Sequence, residues 1–262
     1  MDTFLDDSVF PGSFVARSEL SNSFVSQASF NGCIAVSNWP RREAASLLPP
    51  ELELGANSAA TPDVHPVVFV FGDQTHGAMM FGGFTYSLGV NYQELGICIP
   101  FVKHRDGTLL QTYMVRMYSS YTIATWNGNL HYGFSKEMAR LRWQGPLYVV
   151  TTEDDRLLLH AAVDAAGPWS AGRGCALPNF RALQALFALP VIGRKPTGVY
   201  ACSYFGWDFD DALVRPADVS VSIEAGVLGD LPTRQCSDVA AGSFEVRGMM
   251  WRLSWPTSCR FR

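Results

Sequence analysis

Short runs of β-branched and aromatic residues, separated by turn-forming residues, fill most of the chain from residue 66 to residue 255. Residues 67–71 (VVFVF) are typical of a buried strand, and residues 147–152 and 156–163 predict a hairpin joined by an acidic turn. Many strands joined by short turns favour a mainly β domain with antiparallel pairing, closed or nearly closed on itself. Periodicity alone does not distinguish a sandwich from a barrel.

A few short helices are expected among these strands. Residues 41–48 predict a helix that ends before two prolines, because proline cannot continue a helix. Residues 178–189 predict a second helix with one apolar face, and residues 126–129 (WNGN) predict a turn that ends a strand. Since the chain shows no internal repeat and no glycine-rich linker, we expect an irregular N-terminal arm over residues 1–28 and a single domain over residues 29–262.

The charge balance bears on several function classes. With 20 basic and 24 acidic residues the chain carries a net charge of −4, whereas nucleic-acid binders are usually basic. No apolar run approaches the roughly 18 to 20 residues of a membrane-spanning helix, and the acidic N-terminal segment lacks the pattern of a secretory signal. We therefore expect a cytoplasmic protein with no nucleic-acid or membrane partner. Six cysteines without paired short spacings predict reduced thiols and no metal site.

The chain has only three lysines, and one of them stands out by its surroundings. Lys103 and Lys195 lie beside turn-forming residues, which indicates a solvated position, whereas Lys136 follows an aromatic and apolar segment. Burial disfavours the charged ammonium, and a neutral amine in a dry pocket can attack a ketone to form a Schiff base. A solvated loop lysine is the alternative at Lys136, because lysine is rarely buried.

The segment around Lys136 resembles the signature of the acetoacetate decarboxylase family. That signature is glycine, aromatic, proline, lysine, lysine, apolar, small, and residues 133–139 are Gly-Phe-Ser-Lys-Glu-Met-Ala. The segment from Tyr92 to Pro100 is similar to the family's strand that carries an active-site glutamate, and similar pieces extend over residues 45–235. The resemblance implies that Lys136 is the Schiff-base nucleophile and Glu94 the active-site carboxylate. It further implies a closed, cone-like antiparallel β barrel with a few short packed helices, a homo-oligomer, and neither a metal nor an organic cofactor.

Several positions depart from the family's pattern. Glu137 replaces the second lysine, so activation of Lys136 would depend on desolvation or on a nearby arginine. Val70 stands at an acidic position, and Phe30 lies where the family has an arginine. These changes predict a small-molecule keto or oxo substrate that is larger and more apolar than acetoacetate. The residues expected to line its pocket are Val70, Tyr92, Tyr118, Trp126, Phe134 and Met138.

Two further residues are candidates for a role at this site. Histidine is a common general acid in catalysis, so His131 is a possible proton donor, and Arg116 is a possible ligand for an acidic group of the substrate. For both, a solvated position is the alternative. The favoured function is a Schiff-base-forming lyase that acts on a β-keto acid or related oxo compound by decarboxylation, retro-aldol cleavage or dehydration. A non-imine cyclase or isomerase of a polyketide- or terpenoid-like compound, and a non-catalytic β barrel that binds an apolar ligand, remain as alternatives.

Overall fold

The computed structural model describes residues 24–56, 63–237 and 242–259. These residues form seventeen strands, three short α-helices and one π-helical turn. The strands are β1 (Phe24–Pro40), β2 (Leu52–Leu54), β3 (Val64–Phe81), β4 (Phe84–His104), β5 (Gln111–Ser119), β6 (Lys136–Met138), β7 (Arg140–Gln144), β8 (Leu147–Thr151), β9 (Leu157–Ala165), β10 (Ser170–Ala171), β11 (Val191–Arg194), β12 (Tyr200–Ser203), β13 (Phe205–Asp208), β14 (Leu213–Ile223), β15 (Arg234–Ser237), β16 (Ser243–Ser254) and β17 (Thr257–Ser258). The helices are α1 (Arg41–Ser46), α2 (Thr122–Asn127) and α3 (Phe180–Leu186), and the π-helical turn is Gly128–Tyr132.

The centre of the sheet is formed by its four longest strands, which are β1, β3, β4 and β16. Strand β3 pairs antiparallel with β1 and β4, β1 also pairs with β16, and β4 also pairs with β5. Strand β5 then pairs in parallel with β6 and with β11. The mainly β fold predicted from the sequence is confirmed, as is the hairpin of β8 and β9. Closure of the strands into a complete barrel stays a prediction.

The start of β1 corrects the predicted domain boundary. Because β1 begins at Phe24 and pairs with β16 from that residue, residues 24–28 belong to the sheet and not to an irregular arm. Residues 1–23, the rest of the predicted arm, lie outside the described residues.

The central sheet is buried on both faces. One face of β3 and β4 carries Phe69, Phe71, Leu95 and Ile97, which belong to one apolar core together with Tyr148. The alternate positions face a second core, which contains Phe30, Ile34, Val68, Met114 and Met117 and receives Phe180 and Leu183 of α3. Alternation of side chains along a strand therefore separates two cores, and burial on both sides explains the continuous apolar run at residues 67–71. The candidate site lies on the second face.

The segment from residue 122 to residue 132 differs from the prediction. The turn expected at residues 126–129 is wrong, because α2 continues there into the π-helical turn. The helical path ends at Gly133, whose φ of 70° lies in the left-handed region. A Cβ at Gly133 would lie 2.5 Å from the backbone carbon of Arg194, so this close approach admits only glycine. Contact with β11, a distant part of the chain, thus determines where the segment turns.

The cysteines give a second correction. Cys202 and Cys259 form a disulfide across 57 residues of sequence, so the prediction of reduced thiols is wrong for these two. The other described cysteines are free, and they are Cys33, Cys98, Cys175 and Cys236. Within the described ranges, no helix has the length and apolar character needed to cross a membrane. The same residues contain no group of three or more His, Cys, Asp or Glu side chains placed to hold a metal ion.

Candidate active site

Strand alternation places Lys136 inside the second core. Lys136 is the first residue of β6 and is only 8% exposed, whereas its neighbour Glu137 is exposed on the opposite face. In the parallel pairing of β6 with β5, Lys136 lies beside Met117, and Met117 in turn lies opposite Gly96 of β4. A Cβ at Gly96 would lie 3.6 Å from Sδ of Met114 and 3.8 Å from Cε of Met117, so these two methionine side chains pack over the glycine.

The π-helical turn holds Lys136 from behind. The backbone N–H of Lys136 donates to Oδ1 of Asn129 at 2.6 Å, and Nδ2 of Asn129 donates to the Lys136 carbonyl at 2.7 Å. One amide side chain therefore fixes both polar groups of the lysine backbone. Gly128 passes close to the stem, since a Cβ there would lie 3.2 Å from Cε of Lys136. The positioning role of Asn129 was not predicted from the sequence.

Lys136 and Glu94 form a buried ion pair. Nζ of Lys136 donates to Oε1 of Glu94, and the two side chains are 7% and 12% exposed. Glu94 lies in β4 opposite Gly72 of β3 and Ser119 of β5, and Lys136 begins β6, so four strands and the π-helical turn converge on the pair. Removing two charges from water is costly, and only close pairing offsets that cost. The structure therefore brings together the two residues that the resemblance implied.

Glu137 does not face this pair. It forms a hydrogen-bonded ion pair with Arg116 of β5 on the opposite face of the strands. The carboxylate that replaces the family's second lysine is thus neutralised by an arginine and turned away from the Lys136 amine. The same contact occupies Arg116, which faces Glu137 and not the candidate site, contrary to the role considered for it.

An apolar cavity adjoins the ion pair. Its volume is about 700 Å³, counted with the part open to solvent. Glu94, Gly96, Cys98 and Pro100 all line it, so the cavity extends along β4. Glu94 is the only charged side chain on its wall among the described residues. Burial raises the pKa of the Cys98 thiol on this wall to about 12, so this thiol stays protonated at neutral pH. The other residues that line the cavity include Val70, Gly96, Met114, Met117, Phe205 and Trp251.

The six residues expected to line the pocket are not all found there. Val70 lies on the cavity wall, whereas Phe134 is buried behind it and stacks on Phe205 at 6.0 Å between ring centroids. Tyr92 contacts Tyr121, and Tyr118 lies in the first core on the other face. The two remaining side chains also lie off the wall, since Trp126 is 61% exposed and Met138 accepts a hydrogen bond from Thr125.

Burial raises the pKa of Tyr92 and Tyr118, and the ring of His131 packs against two tryptophans. Burial raises the pKa of Tyr118 to about 12. Burial and the Glu94 carboxylate raise the pKa of Tyr92 well above its usual range, so both tyrosines stay neutral. The His131 ring packs against Trp126 and Trp255 at centroid distances of 6.0 and 5.4 Å. The described contacts of His131 thus do not bring it to Lys136 or Glu94, and its predicted role as proton donor gains no contact here.

Other cavity residues were missed from the sequence. Gln74 and Trp251 line the cavity together with Thr112, and none of them belongs to a recognisable motif. The one available signal was strand parity, because Gln74 is four residues from Val70 in the same strand and so points to the same face.

The fold resembles those of known enzymes, although neither a protein-family model nor a curated protein matches this sequence. The enduracididine biosynthesis enzyme MppR complexed with pyruvate superimposes with a TM-score of 0.57 at 12% identity, over 90% of this chain and 91% of that chain. Acetoacetate decarboxylase from Legionella pneumophila gives 0.56 at 14% identity, over 89% and 87% of the two chains. An acetoacetate decarboxylase-like enzyme from Sphingomonas wittichii RW1 gives 0.56 at 11% identity, over 92% and 94%. This chain therefore has the acetoacetate decarboxylase-like fold, as the resemblance predicted.

Proposed function

We propose that this protein is an enzyme in which Lys136 forms a Schiff base with the carbonyl group of a small oxo compound. The observation that carries the proposal is the buried Lys136–Glu94 pair beside an apolar cavity. A lysine with no catalytic role is seldom buried in a core, because the cost of its burial must be offset by a charged partner and by hydrogen bonds. The enzyme would be a lyase, and its electron sink is the lysine imine.

Glu94 prepares the amine for attack. The hydrogen bond from Nζ of Lys136 to Oε1 of Glu94 is a direct path for one proton, and its transfer leaves a neutral amine and a neutral carboxylic acid. The amine then attacks the carbonyl carbon, so that a C–N bond forms and the carbonyl oxygen takes up protons. Loss of that oxygen as water gives a protonated imine, and Glu94 supplies and receives the protons in this step.

The protonated imine then accepts an electron pair from a breaking bond. A β-carboxylate leaves as carbon dioxide, or a β-hydroxyl carbon leaves as an aldehyde with loss of its hydroxyl proton, and either departure forms an enamine. Dehydration instead removes a proton from carbon and then expels the β-hydroxyl as water. Protonation of the enamine carbon in the first two cases, and hydrolysis of the imine by one water in all three, returns Lys136 and releases a carbonyl product.

Two features support carbonyl chemistry at this site. The wall around the pair is apolar, and a dry site favours the uncharged amine that attacks a carbonyl. One structural neighbour, MppR, is complexed in another structure with the condensation product of pyruvate and imidazole 4-carboxaldehyde. At 12% identity this neighbour supports the choice of oxo compounds as ligands to test and does not establish a substrate.

Reductive trapping tests the proposal. Borohydride added in the presence of 2-pentanone should reduce the imine, and peptide mass mapping should locate the adduct on Lys136. Lys103 and Lys195 serve as internal controls, because Lys103 pairs with Glu53 near the surface and Lys195 lies in a turn. The Lys136→Arg variant should give no adduct, since arginine keeps the charge but cannot form this imine. An adduct spread equally over the three lysines, or none at Lys136, would contradict the proposal.

A non-imine cyclase or isomerase is the second candidate. The observation that favours it is the ion pair itself, because an ammonium and a carboxylate in contact are an acid and a base ready for proton transfer. Activity retained in Lys136→Arg would select this alternative over the lyase, whereas a borohydride adduct on Lys136 together with activity lost in Lys136→Arg would select the imine.

A further inference from the structure

Gln74 lies near the Lys136–Glu94 pair and has no role in the proposed mechanism. In the pairing of β3 with β4, Gly72 lies opposite Glu94 and Gln74 lies opposite Tyr92. Gln74 and Glu94 are therefore diagonal neighbours on the same face, with Cβ atoms about 7 to 8 Å apart by strand geometry. Gln74 is only 4% exposed and lines the cavity. A buried amide at this position has to satisfy several hydrogen-bonding groups.

Trp251 determines which end of the Gln74 amide faces the cavity. Nε1 of Trp251 donates to Oε1 of Gln74 at 2.6 Å. Because an indole N–H only donates, the oxygen of the amide must point toward Trp251. The amino group Nε2 is left as the free end, and within the described residues no acceptor is hydrogen-bonded to it. A ligand oxygen would supply the missing acceptor.

The charges around the cavity limit what that ligand can be. Glu94 and Lys136 neutralise each other, and Arg116 is held by Glu137 on the far face. Among the described residues the wall offers no cation that could pair with a substrate carboxylate. A keto acid would therefore bring an unpaired negative charge into an apolar space next to Glu94, which is costly. An uncharged oxygen needs only the amide donor of Gln74.

We infer that the site takes an uncharged ketone with a second acceptor oxygen β to the carbonyl, such as a β-hydroxy ketone or a β-keto amide. This inference rests on the proposed function, because Lys136 marks the place of the ketone. The second oxygen accepts a hydrogen bond from Nε2 of Gln74. On the other side of Glu94, the apolar part of the ligand packs along β4 past Gly96 and Cys98. A substrate of this class favours retro-aldol cleavage or dehydration over decarboxylation.

A pair of ligands that differ only in charge tests the inference. The probes are 3-oxohexanamide and 3-oxohexanoate, with 2-pentanone as the analogue that lacks the second oxygen, and binding is measured by calorimetry at pH 8. The amide should bind about tenfold or more tightly than the acid, because only the acid buries a charge. The Gln74→Met variant should weaken amide binding about three- to tenfold, the effect of one hydrogen bond, and leave 2-pentanone unchanged.

Control variants separate recognition from folding. Gln74→Glu keeps an acceptor for Trp251 but replaces the donor by an oxygen, so it should reduce the advantage of the amide over 2-pentanone even if Gln74→Met folds poorly. Gln93→Met makes the matched change at a glutamine that bonds Asp73 and should leave all three affinities unchanged. Trp251→Phe releases the amide oxygen and should reduce the preference in part.

The binding experiments can fail independently of the borohydride experiment that tests the imine. Equal binding of acid and amide, or an amide affinity unaffected by both Gln74 variants, overturns the inference even where 2-pentanone is trapped on Lys136. A preference for the amide that depends on Gln74, without a borohydride adduct from any ketone, upholds the subsite and contradicts the imine.

Discussion

Gly128→Ala separates the position of the lysine from the stability of the fold. Gly128 has φ −58° and ψ −43°, so alanine fits its backbone without strain. A Cβ at this position would lie 3.2 Å from Cε, 3.4 Å from Cδ and 3.6 Å from Nζ of Lys136. The first of these distances is shorter than an ordinary carbon–carbon contact of roughly 3.5 to 4.0 Å. The lysine stem must therefore move by a few tenths of an ångström.

The expected effects have opposite signs. Alanine in a helical position stabilises by up to about 1 kcal/mol relative to glycine, and the displaced stem costs a similar amount, so the free energy of unfolding should change by less than about 1 kcal/mol. Reactivity is more sensitive, because a displacement of about 1 Å can cost roughly 100-fold in rate. A shift of a few tenths of an ångström should then slow imine formation about three- to tenfold. Gly128→Val adds two more carbons in the path of the stem and should slow it further.

The assay is the rate of borohydride trapping of 2-pentanone on Lys136, measured beside urea unfolding of the same samples. Gly145→Ala is the matched control, because its glycine has φ 61° and no atom within 4 Å of an added Cβ. That variant should lose about 1 kcal/mol of stability through its left-handed backbone and trap at the wild-type rate. A wild-type trapping rate in both Gly128 variants would show that the stem is not held at this point, and would refute the argument.

Three further predictions concern other parts of the molecule. Asn129→Asp loses the hydrogen bond to the Lys136 carbonyl and places a charged oxygen against it, so unfolding should become easier by about 1 to 3 kcal/mol and trapping slower, and an unchanged rate would contradict the positioning role. Burial lowers the pKa of His65 from its usual 6.5 to about 4, so on acidification the unfolded chain binds the proton before the folded chain does. The neutral residue contributes about 3 kcal/mol to the free energy of unfolding through this difference. That contribution is complete above pH 6.5 and is lost as the pH falls to 4. Urea unfolding at pH 7 and pH 4.5 should show a smaller decline in His65→Gln than in the wild type, and equal declines would show that His65 is not the source. We also expect a homo-oligomer whose contact includes the tip of the β3–β4 hairpin, where Phe81 and Phe84 are 79% and 68% exposed. Replacing both with serine should lower the mass found by sedimentation, and an unchanged mass would exclude that contact.

The parts of the fold that follow local rules were predictable from the sequence. Residues 147–163 form the expected hairpin, because both its strands and its acidic turn are encoded within a few residues. Lys136 and Glu94 were also named as site residues from the sequence, since a short motif around each residue carried the resemblance, although their direct contact was not predicted. In both cases the signal lies within one continuous segment of chain.

The parts that depend on distant contacts were not predictable. The Asn127-Gly128 pair is a turn signal, yet the segment is helical and turns only at Gly133, which lies against the backbone of Arg194. Gln74 acquires its orientation from Trp251, which is 177 residues away in the sequence. The position of Gln74 follows from strand parity, but the orientation of its amide does not.

The absence of an arginine at the position of Phe30 limits the charge that a substrate can bring to Lys136 and Glu94. In the resting site the ammonium of Lys136 faces the carboxylate of Glu94, and no other charged side chain among the described residues lies on the cavity wall. With an uncharged ketone, formation of the protonated imine places a positive nitrogen where the ammonium was, so the pair stays balanced before and after the step. With a keto acid, the same step would leave one negative charge in an apolar space without a partner, at a cost that an arginine would otherwise offset. With Lys136 and Glu94 in contact and an apolar residue, Phe30, at the position where the resemblance implies an arginine, we therefore expect a substrate that brings no charge of its own into the cavity.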